Sequence, residues 1–445
     1  MKGPNQNQKK ESVIDMKKIL KQKKITTYWK KKMIAATMAG VFIFSNLLTM
    51  TGCSAKVQAE NLMDNITPQH IEVSQDLQKG NVAVSDFAVR LAQASQTEGE
   101  SLLISPLSVL YALAMAANGA KEETLTQMEE VLGMTTEELN HYLYSYLQAL
   151  QTNEKYKLSL ANSIWFTSDS RFTVNQEFLQ KNADYYGADI FRTPFDNSTF
   201  NDINTWVNDK TDGMIPEILN EIPQDAVMYL VNALAFEAEW ESIYKKHQVH
   251  KGDFTTENGT KQKVEFMHSE ENKYLEDENA SGFIKYYKDR KYAFVALLPN
   301  EGVSVAEYLS DLTGEHLSEL LANVKNDFLN VSIPKFETEY EVEMSEILSN
   351  MGMPDAFNGD AADFTGLGTS TDGNIFIDRV LHKTFISVGE QGTKAGAATV
   401  VEMNDEGAML MPEPKEIYLD RPFVYMLIDC ENNIPFFIGT MMNVE

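Results

Sequence analysis

The sequence predicts one mixed α+β fold, with a helix-rich N-terminal part followed by large antiparallel or mixed β-sheets. Apolar residues recur at helical spacing in the first 150 residues, whereas later segments contain short runs of β-branched and aromatic residues. Helices and strands are interspersed without a regular strand-helix-strand repeat, which argues against a parallel α/β fold. No Pro-, Gly- or Ser-rich linker divides the 445 residues, so a single large core is expected.

The N-terminal 52 residues have the pattern of an export signal. Residues 1–32 contain eleven lysines and two acidic residues, and residues 33–52 are uncharged and mostly apolar. The apolar stretch ends in the lipobox-like motif M-T-G-C, which predicts lipid attachment at Cys53. The protein is then expected on the extracellular face of the membrane or secreted. Met50 departs from the leucine usual at its place in a lipobox. A plain signal peptide is one alternative, and an uncleaved transmembrane anchor is another, since an apolar stretch of this length could span a bilayer.

Removal of this signal leaves a strongly acidic chain. The 38 basic and 65 acidic residues of the sequence fall to 27 and 63, a net charge near −36. Such a chain is not expected to bind nucleic acid, and membrane contact is expected only through the lipid. The two cysteines are Cys53 and Cys430, so a lipidated Cys53 leaves one unpaired thiol and no internal disulfide.

Residues 53–78 are polar and aperiodic, and they predict a tether between Cys53 and a folded domain at residues 79–445. Within that domain, Val84, Phe87 and Leu91 are spaced as the apolar face of a helix.

A second helix is predicted after Ser105. Ser105 supplies an N-cap and Pro106 suits the first turn, while Gly119 offers a stop for the apolar run between them.

Strands are predicted where apolar and β-branched residues form short runs bounded by turn residues. They lie at residues 158–166, 228–236 and 328–337, in a pair within 283–298 that turns at 288–290, and in the final pair 423–429 and 434–438.

Enzyme signatures are absent from the sequence. It contains no G-x-S-x-G, H-E-x-x-H, C-x-x-C or P-loop motif, and its seven histidines show no metal-ligand spacing. Gly366-Leu367-Gly368 lacks the third glycine of a dinucleotide site and is interpreted as a loop. We therefore expect no enzymatic activity, no cofactor and no metal.

Residues 390–399 read E-Q-G-T-K-A-G-A-A-T and precede two valines. Such a segment can be both loop and strand, because its small side chains at period two fit the interior of a filled sheet. A flexible linker is the alternative interpretation.

This segment resembles the reactive-centre-loop hinge of the serpin superfamily, and the resemblance extends over nearly all of residues 80–443. Further motifs carry it in the family's order. They are N-x-W-V-x3-T-x-G-M-I at 204–215, L-V-N-A-L at 230–234 with Phe236 and Trp240, I-P-K-F at 333–336 leading to Leu348, Gly352-Met353 and Ala356-Phe357, V-L-H-K at 380–383, D-R-P-F at 420–423, and F-I-G at 437–439.

The resemblance implies the serpin fold, with an exposed reactive-centre loop that acts as bait for a serine protease. In serpins the cleaved loop inserts into the main sheet and traps the covalent acyl-enzyme. A monomer is expected, and a cysteine protease is an alternative target. The alternative function is that of a non-inhibitory serpin, a binding or chaperone-like protein, whose expected mark is a spoiled hinge.

The hinge residues match those of inhibitory serpins, except that Lys394 and Gly396 replace the usual Glu and Ala. By strand alternation both exceptions face solvent after insertion, so they should be tolerated. The matching residues are Glu390, Gly392, Thr393, Ala395, Ala397, Ala398 and Thr399.

Two interpretations of the reactive bond remain open. A count of 17 residues from Glu390, usual in the family, places it between Glu406 and Gly407. The content of the loop favours Met409, Leu410 or Met411, which suit elastase-like, chymotrypsin-like or subtilisin-like pockets.

Four polar residues stand within apolar segments: Ser105, Ser108, Asn232 and His382. Burial without partners would cost about 1–3 kcal/mol each, so we expect them to hydrogen bond to one another. The matching residues of serpins form the shutter, a polar cluster beneath the sheet that parts when the loop enters. Trp240 matches the breach tryptophan.

Overall fold

The computed structural model describes residues 56–74, 76–150, 156–219, 222, 227–371, 373–393 and 413–444. The chain from Val57 onward forms one unit in which two large sheets are combined with helices. The predicted mixed α+β architecture is confirmed. Within these ranges no helix is long and apolar enough to cross a membrane.

The described part of the chain contains nine α-helices, four of which precede the first long strand. The apolar face predicted for the first helix is buried, with Val84, Phe87 and Leu91 fully shielded from solvent. The second helix begins at its predicted cap, where the Ser105 hydroxyl oxygen accepts a hydrogen bond from the Ser108 N–H. The helices are α1 Gln78–Ser95, α2 Pro106–Ala117, α3 Glu122–Leu132, α4 Thr136–Ala149, α5 Gln176–Tyr186, α6 Asn197–Lys210, α7 Val305–Asp311, α8 Gly314–Ala322 and α9 Ser345–Met351.

The strands form a seven-stranded central sheet, a nine-stranded second sheet and one separate pair. The central sheet has the order β1-β5-β3-β6-β15-β14-β12, the second sheet has the order β16-β11-β8-β9-β10-β17-β18-β2 with β7 beside β8, and β4 pairs with β13. The strands are β1 Glu60–Asn61, β2 Leu102–Ile104, β3 Tyr156–Thr167, β4 Phe172–Val174, β5 Asp189–Thr193, β6 Met228–Glu239, β7 Val249–Thr255, β8 Lys261–Glu276, β9 Ala280–Tyr286, β10 Tyr292–Pro299, β11 Lys325–Pro334, β12 Phe336–Glu343, β13 Gly368–Ser370, β14 Arg379–Gly389, β15 Gly392–Thr393, β16 Lys415–Tyr418, β17 Phe423–Asp429 and β18 Ile434–Met441.

Lys335 divides one predicted strand, so the prediction of a continuous strand at 328–337 is wrong. Residues before it belong to β11 in the second sheet, and residues after it belong to β12 in the central sheet. The Lys335 N–H donates to the Glu265 carbonyl at 2.8 Å, at the point where the chain passes between sheets. An apolar run shows where a strand can form, but it does not show which sheet the strand joins.

The segment after Lys56 is packed against the body, although it was predicted as part of a tether. β1 pairs antiparallel with β5, and the Leu62 N–H donates to the Ile190 carbonyl at 2.8 Å. The Gln58 N–H donates to a carboxylate oxygen of Asp202 at 2.7 Å. These are mainly backbone contacts, which the side-chain pattern of a polar segment does not reveal.

The two edges of the central sheet differ in construction. At one edge the short strand β1 covers β5, while at the other edge β12 pairs only with β14 in the described part of the chain. β12 carries glutamate at every second position, Glu337, Glu339, Glu341 and Glu343. Lys383 of β14 forms ion pairs with Glu339 at 2.6 Å and with Glu341 at 3.1 Å.

Helix α6 and the segment that follows it cover one face of the central sheet. Ile203, Trp206 and Val207 of α6 share an apolar cluster with Val231 of β6 and Leu381 of β14. The main core lies on the opposite face. The central sheet is therefore buried on both sides where β6 meets β14.

Candidate functional site

The central sheet contains a seam, here the direct parallel pairing of β6 with β14. Residues 379–385 of β14 lie opposite 229–235 of β6, so the two strands are closed together over seven positions. Above the seam, the short strand β15 lies between them. Thr393 is opposite Ala238 of β6 on one side and Val388 of β14 on the other. The sheet is thus closed below and already holds two residues of an extra strand above.

The hinge turn, residues 389–393, carries the chain from β14 into β15. Three hydrogen bonds of 2.8 Å hold it from one side. The Trp240 N–H donates to the Gln391 carbonyl, and its indole N–H donates to the Gly389 carbonyl. The Tyr244 N–H donates to the Glu390 carbonyl. Trp240, the predicted breach residue, therefore contacts the predicted hinge directly.

Glu390 is tied to the start of β12. The Lys335 ammonium lies 2.9 Å from a carboxylate oxygen of Glu390 and 3.1 Å from one of Glu265. Partial burial alone would raise the pKa of Glu390, but the hydrogen bond and positive charge of Lys335 hold that pKa below its ordinary value. Lys335 thus connects the hinge turn to the second sheet through β8.

Thr393 is the first hinge side chain to enter the sheet. It is fully buried, and its hydroxyl lies 2.5 Å from the Tyr287 hydroxyl. The Tyr287 ring stacks on the Trp240 indole with centroids 4.4 Å apart and planes at 8°. Burial of the Thr393 hydroxyl is therefore matched by a hydrogen-bond partner.

Gly392 is required by space as well as by backbone conformation. Its φ is +153°, and a Cβ atom placed there would lie 1.9 Å from the Ala238 carbonyl oxygen. A larger residue cannot occupy this position while β15 stays in the sheet.

A polar cluster lies beneath the seam and consists of Ser105, Ser108, Asn232 and His382, all fully buried. His382 and Asn232 are directly opposite each other in the two strands. The His382 Nδ1 atom is 2.5 Å from the Asn232 side-chain oxygen. The Ser108 hydroxyl donates to the same oxygen at 3.2 Å.

The hydrogen bonds of the cluster assign the tautomer of His382. The Ser105 N–H donates to Nε2 at 3.0 Å, so Nε2 carries no proton and Nδ1–H donates to Asn232. Burial lowers the pKa of His382 from 6.5 to about 3, which keeps the ring neutral. One His–Asn hydrogen bond therefore joins the two strands of the seam on their core side.

The structure brings together the predicted residues that it describes. The four polar residues contact one another, and Trp240 contacts the turn that contains Glu390 and Gly392. The remaining predicted residues lie outside the described residues. They are Lys394, Ala395, Gly396, Ala397, Ala398 and Thr399 of the hinge, Glu406, Gly407, Met409, Leu410 and Met411 of the loop, and Cys53.

Two residues of the site were not singled out by the sequence: Tyr244 and Tyr287. The two tyrosines follow strands whose ends could not be aligned with the hinge from spacing alone. In the described part of the chain, no group of three or more His, Cys, Asp or Glu residues could hold a metal ion.

Comparison with known proteins identifies the family of this chain. Residues 82–444 match the family described as Serpin (serine protease inhibitor). The chain is a serpin. This serpin is 50% identical to the thermophilic serpin Tengpin in its native state, with a TM-score of 0.84 over 87% of this chain and 100% of that one. The predicted serpin fold is thereby confirmed.

Two further comparisons agree with this assignment. Tengpin in its latent state is 47% identical and gives a TM-score of 0.73 over 85% of this serpin and 100% of that chain. An uncharacterised serpin-like protein of Thermococcus kodakarensis is 29% identical over 369 residues, which cover 81% of this chain and 85% of the relative.

Acid is expected to weaken the fold through His382. Its pKa is about 3 when folded and 6.5 ordinarily, so the unfolded chain binds the extra proton between these values. The stabilisation is complete above pH 6.5 and is lost as the pH falls toward 3, by up to about 1.4 kcal/mol per pH unit. The urea midpoint of the wild type should therefore fall more steeply between pH 6 and 4 than that of His382→Gln.

The exposed His247 provides the control for this measurement. His247→Gln should keep the wild-type slope of urea midpoint against pH. Equal slopes for the wild type and His382→Gln would contradict the assignment of a neutral, buried imidazole.

Gly392→Ala is expected to expel β15 from the sheet. The clash with the Ala238 carbonyl and the unfavourable φ should cost about 1–3 kcal/mol, enough to expose the Thr393 amide. Hydrogen exchange of that amide should become faster than in the wild type.

Gly389→Ala, three residues earlier, is the matched control, because no atom lies within 4 Å of a Cβ placed there. It should leave the exchange of Thr393 unchanged. The same protection of Thr393 in Gly392→Ala and the wild type would show that β15 tolerates a side chain at this position.

Proposed function

We propose that this serpin inhibits serine proteases as a suicide substrate. The observation that carries the proposal is the position of β15, whose two residues already occupy the place of an inserted strand between β6 and β14. The seam below β15 is closed by strand pairing that a further strand could replace.

The register of β15 indicates how insertion would continue. Thr393 lies opposite Ala238 and its side chain points into the core. In the same antiparallel register, steps of two residues would place Ala395 opposite Phe236 and Ala397 opposite Leu234. Thr399 would then stand opposite Asn232 and His382, where its hydroxyl could replace the His–Asn hydrogen bond that insertion breaks.

The chemistry begins in the protease. Its activated serine oxygen attacks the carbonyl carbon of the reactive bond, the peptide C–N bond breaks, and the leaving amine takes the serine proton. The carboxyl end of the cleaved loop is then held as an ester on the serine. Insertion of the hinge side would carry this ester and the attached protease along the sheet, and distortion of the oxyanion hole would stall hydrolysis.

Glu406 is the proposed specificity residue, and Met409, Leu410 and Met411 are the alternatives. A protease panel tests both the function and this choice. Residues 54–445 should form a denaturant-resistant band with at least one Glu-specific, elastase-like or subtilisin-like protease. Mass spectrometry of the released fragment should identify the cleaved bond.

Thr393→Arg makes the test specific to insertion. The Thr393 site is fully buried and its hydrogen-bond partner Tyr287 is neutral, so burial of a guanidinium there is costly. Insertion should therefore fail, and the covalent band should fall at least about tenfold while cleavage persists. Val82→Arg adds the same charge at a position 52% exposed and should retain the band. Cleavage of the wild type without a covalent band for any protease would favour the non-inhibitory alternative.

We further propose that the protein is exported and anchored through a lipid on Cys53. The support is the lipobox-like sequence and the apolar stretch before it. Cys53→Ser should move the protein from the membrane fraction into the medium or leave it uncleaved, whereas Cys430→Ser should not. Equal membrane partition of Cys53→Ser and the wild type, with the signal removed in both, would exclude lipid anchoring.

A further inference from the structure

Lys285 of β9 is a buried charge near the hinge turn. Its side chain is 1% exposed, and its ammonium lies 2.6 Å from a carboxylate oxygen of Glu271, whose side chain is 17% exposed. The same oxygen accepts a hydrogen bond from the Ser269 hydroxyl at 2.9 Å. A buried ion pair of this kind is often no more stabilising than apolar residues of the same volume. A contribution to stability therefore does not explain why a lysine is buried at this position.

The Lys285 ammonium also faces two aromatic rings. It lies 4.6 Å from the centroid of the Tyr244 ring and 5.5 Å from that of Trp240. Both distances are within the range of cation–π attraction, which strengthens when the cation is removed from water. The buried Lys285 ammonium thus contacts both the Tyr244 ring and the Trp240 ring.

These two aromatic residues make the three hydrogen bonds that hold the hinge turn. Trp240 binds the carbonyls of Gly389 and Gln391, and Tyr244 binds that of Glu390. No contact joins Lys285 directly to residues 389–393 among the hydrogen bonds and ion pairs described. The two cation–π contacts give its charge a route to the hinge turn through the Tyr244 and Trp240 rings.

We propose that Lys285 is a positioning residue of the hinge. Its buried ammonium fixes Trp240 and Tyr244, and these in turn keep the hinge turn closed until the loop is cut. The role in inhibition rests on the proposed function, whereas the effect on the turn does not. Loss of the charge should loosen the turn while leaving the strands below it intact.

Hydrogen exchange tests this inference without a protease. The amides of Trp240 and Tyr244 donate to the turn, so their exchange reports directly on its opening. In Lys285→Met their exchange should become roughly tenfold faster, the expected effect of losing two desolvated cation–π contacts. The Phe294 amide is the internal reference, since Phe294 lies opposite Lys285 in β10 and would respond if β9 itself were destabilised.

Two further variants separate the effect of the charge from other causes. Lys285→Met leaves Glu271 without its partner, so the double variant Lys285→Met/Glu271→Gln should show the same faster exchange. Recovery of the wild-type rate in the double variant would assign the effect to the orphaned carboxylate and overturn the inference. Lys325→Met is the matched control, because Lys325 pairs with Glu276 at 2.7 Å and lies 6.0 Å from the Tyr274 ring, remote from the hinge.

The outcomes distinguish this inference from the proposed function. If the wild type forms no covalent complex but the exchange changes as expected, the hinge role stands and the inhibitory function fails. If the wild type traps a protease while Lys285→Met keeps slow exchange at Trp240 and Tyr244, the inference on Lys285 is wrong. Faster exchange at Phe294 by the same factor would also overturn it.

Discussion

The direct pairing of β6 with β14 is the constraint on which the rest of the structure depends. Parallel strands at the centre of a sheet are normally permanent neighbours, because separating them leaves buried backbone groups without partners. Here a short strand already stands between their upper ends. A new strand in the register of β15 would satisfy the groups freed on parting, so the seam favours this kind of opening.

The side chains around the seam hold its two strands together through contacts that fit this constraint. On the core side a neutral histidine and an asparagine join the strands, and both can exchange one hydrogen-bond partner for another. At the upper end aromatic side chains and the Lys335 ion pairs hold the turn. The two strands are therefore joined by a polar hydrogen bond below β15, and the hinge turn above is held by aromatic packing and ion pairs.

The polar cluster beneath the seam was predictable from the sequence, because its members are polar residues within otherwise apolar segments. Ser105, Asn232 and His382 stood out as polar residues in apolar segments, and a buried polar residue needs a partner. Lys285 could not be found in this way, since a lysine in a strand ordinarily predicts a position that is exposed to solvent. The exchange of sheets at Lys335 and the docking of β1 were hidden for a related reason. Both are decided by long-range backbone pairing, which side-chain periodicity does not encode.

The edges of the central sheet have a consequence for the protein in a crowded solution. A β-sheet with an uncovered edge strand can recruit strands from other molecules along its sides. β1 occupies one side, and the glutamates of β12 surround the other with negative charge. Strand addition is thereby opposed at both margins, which leaves the middle of the sheet, where β15 lies, as the place that the proposed insertion would use.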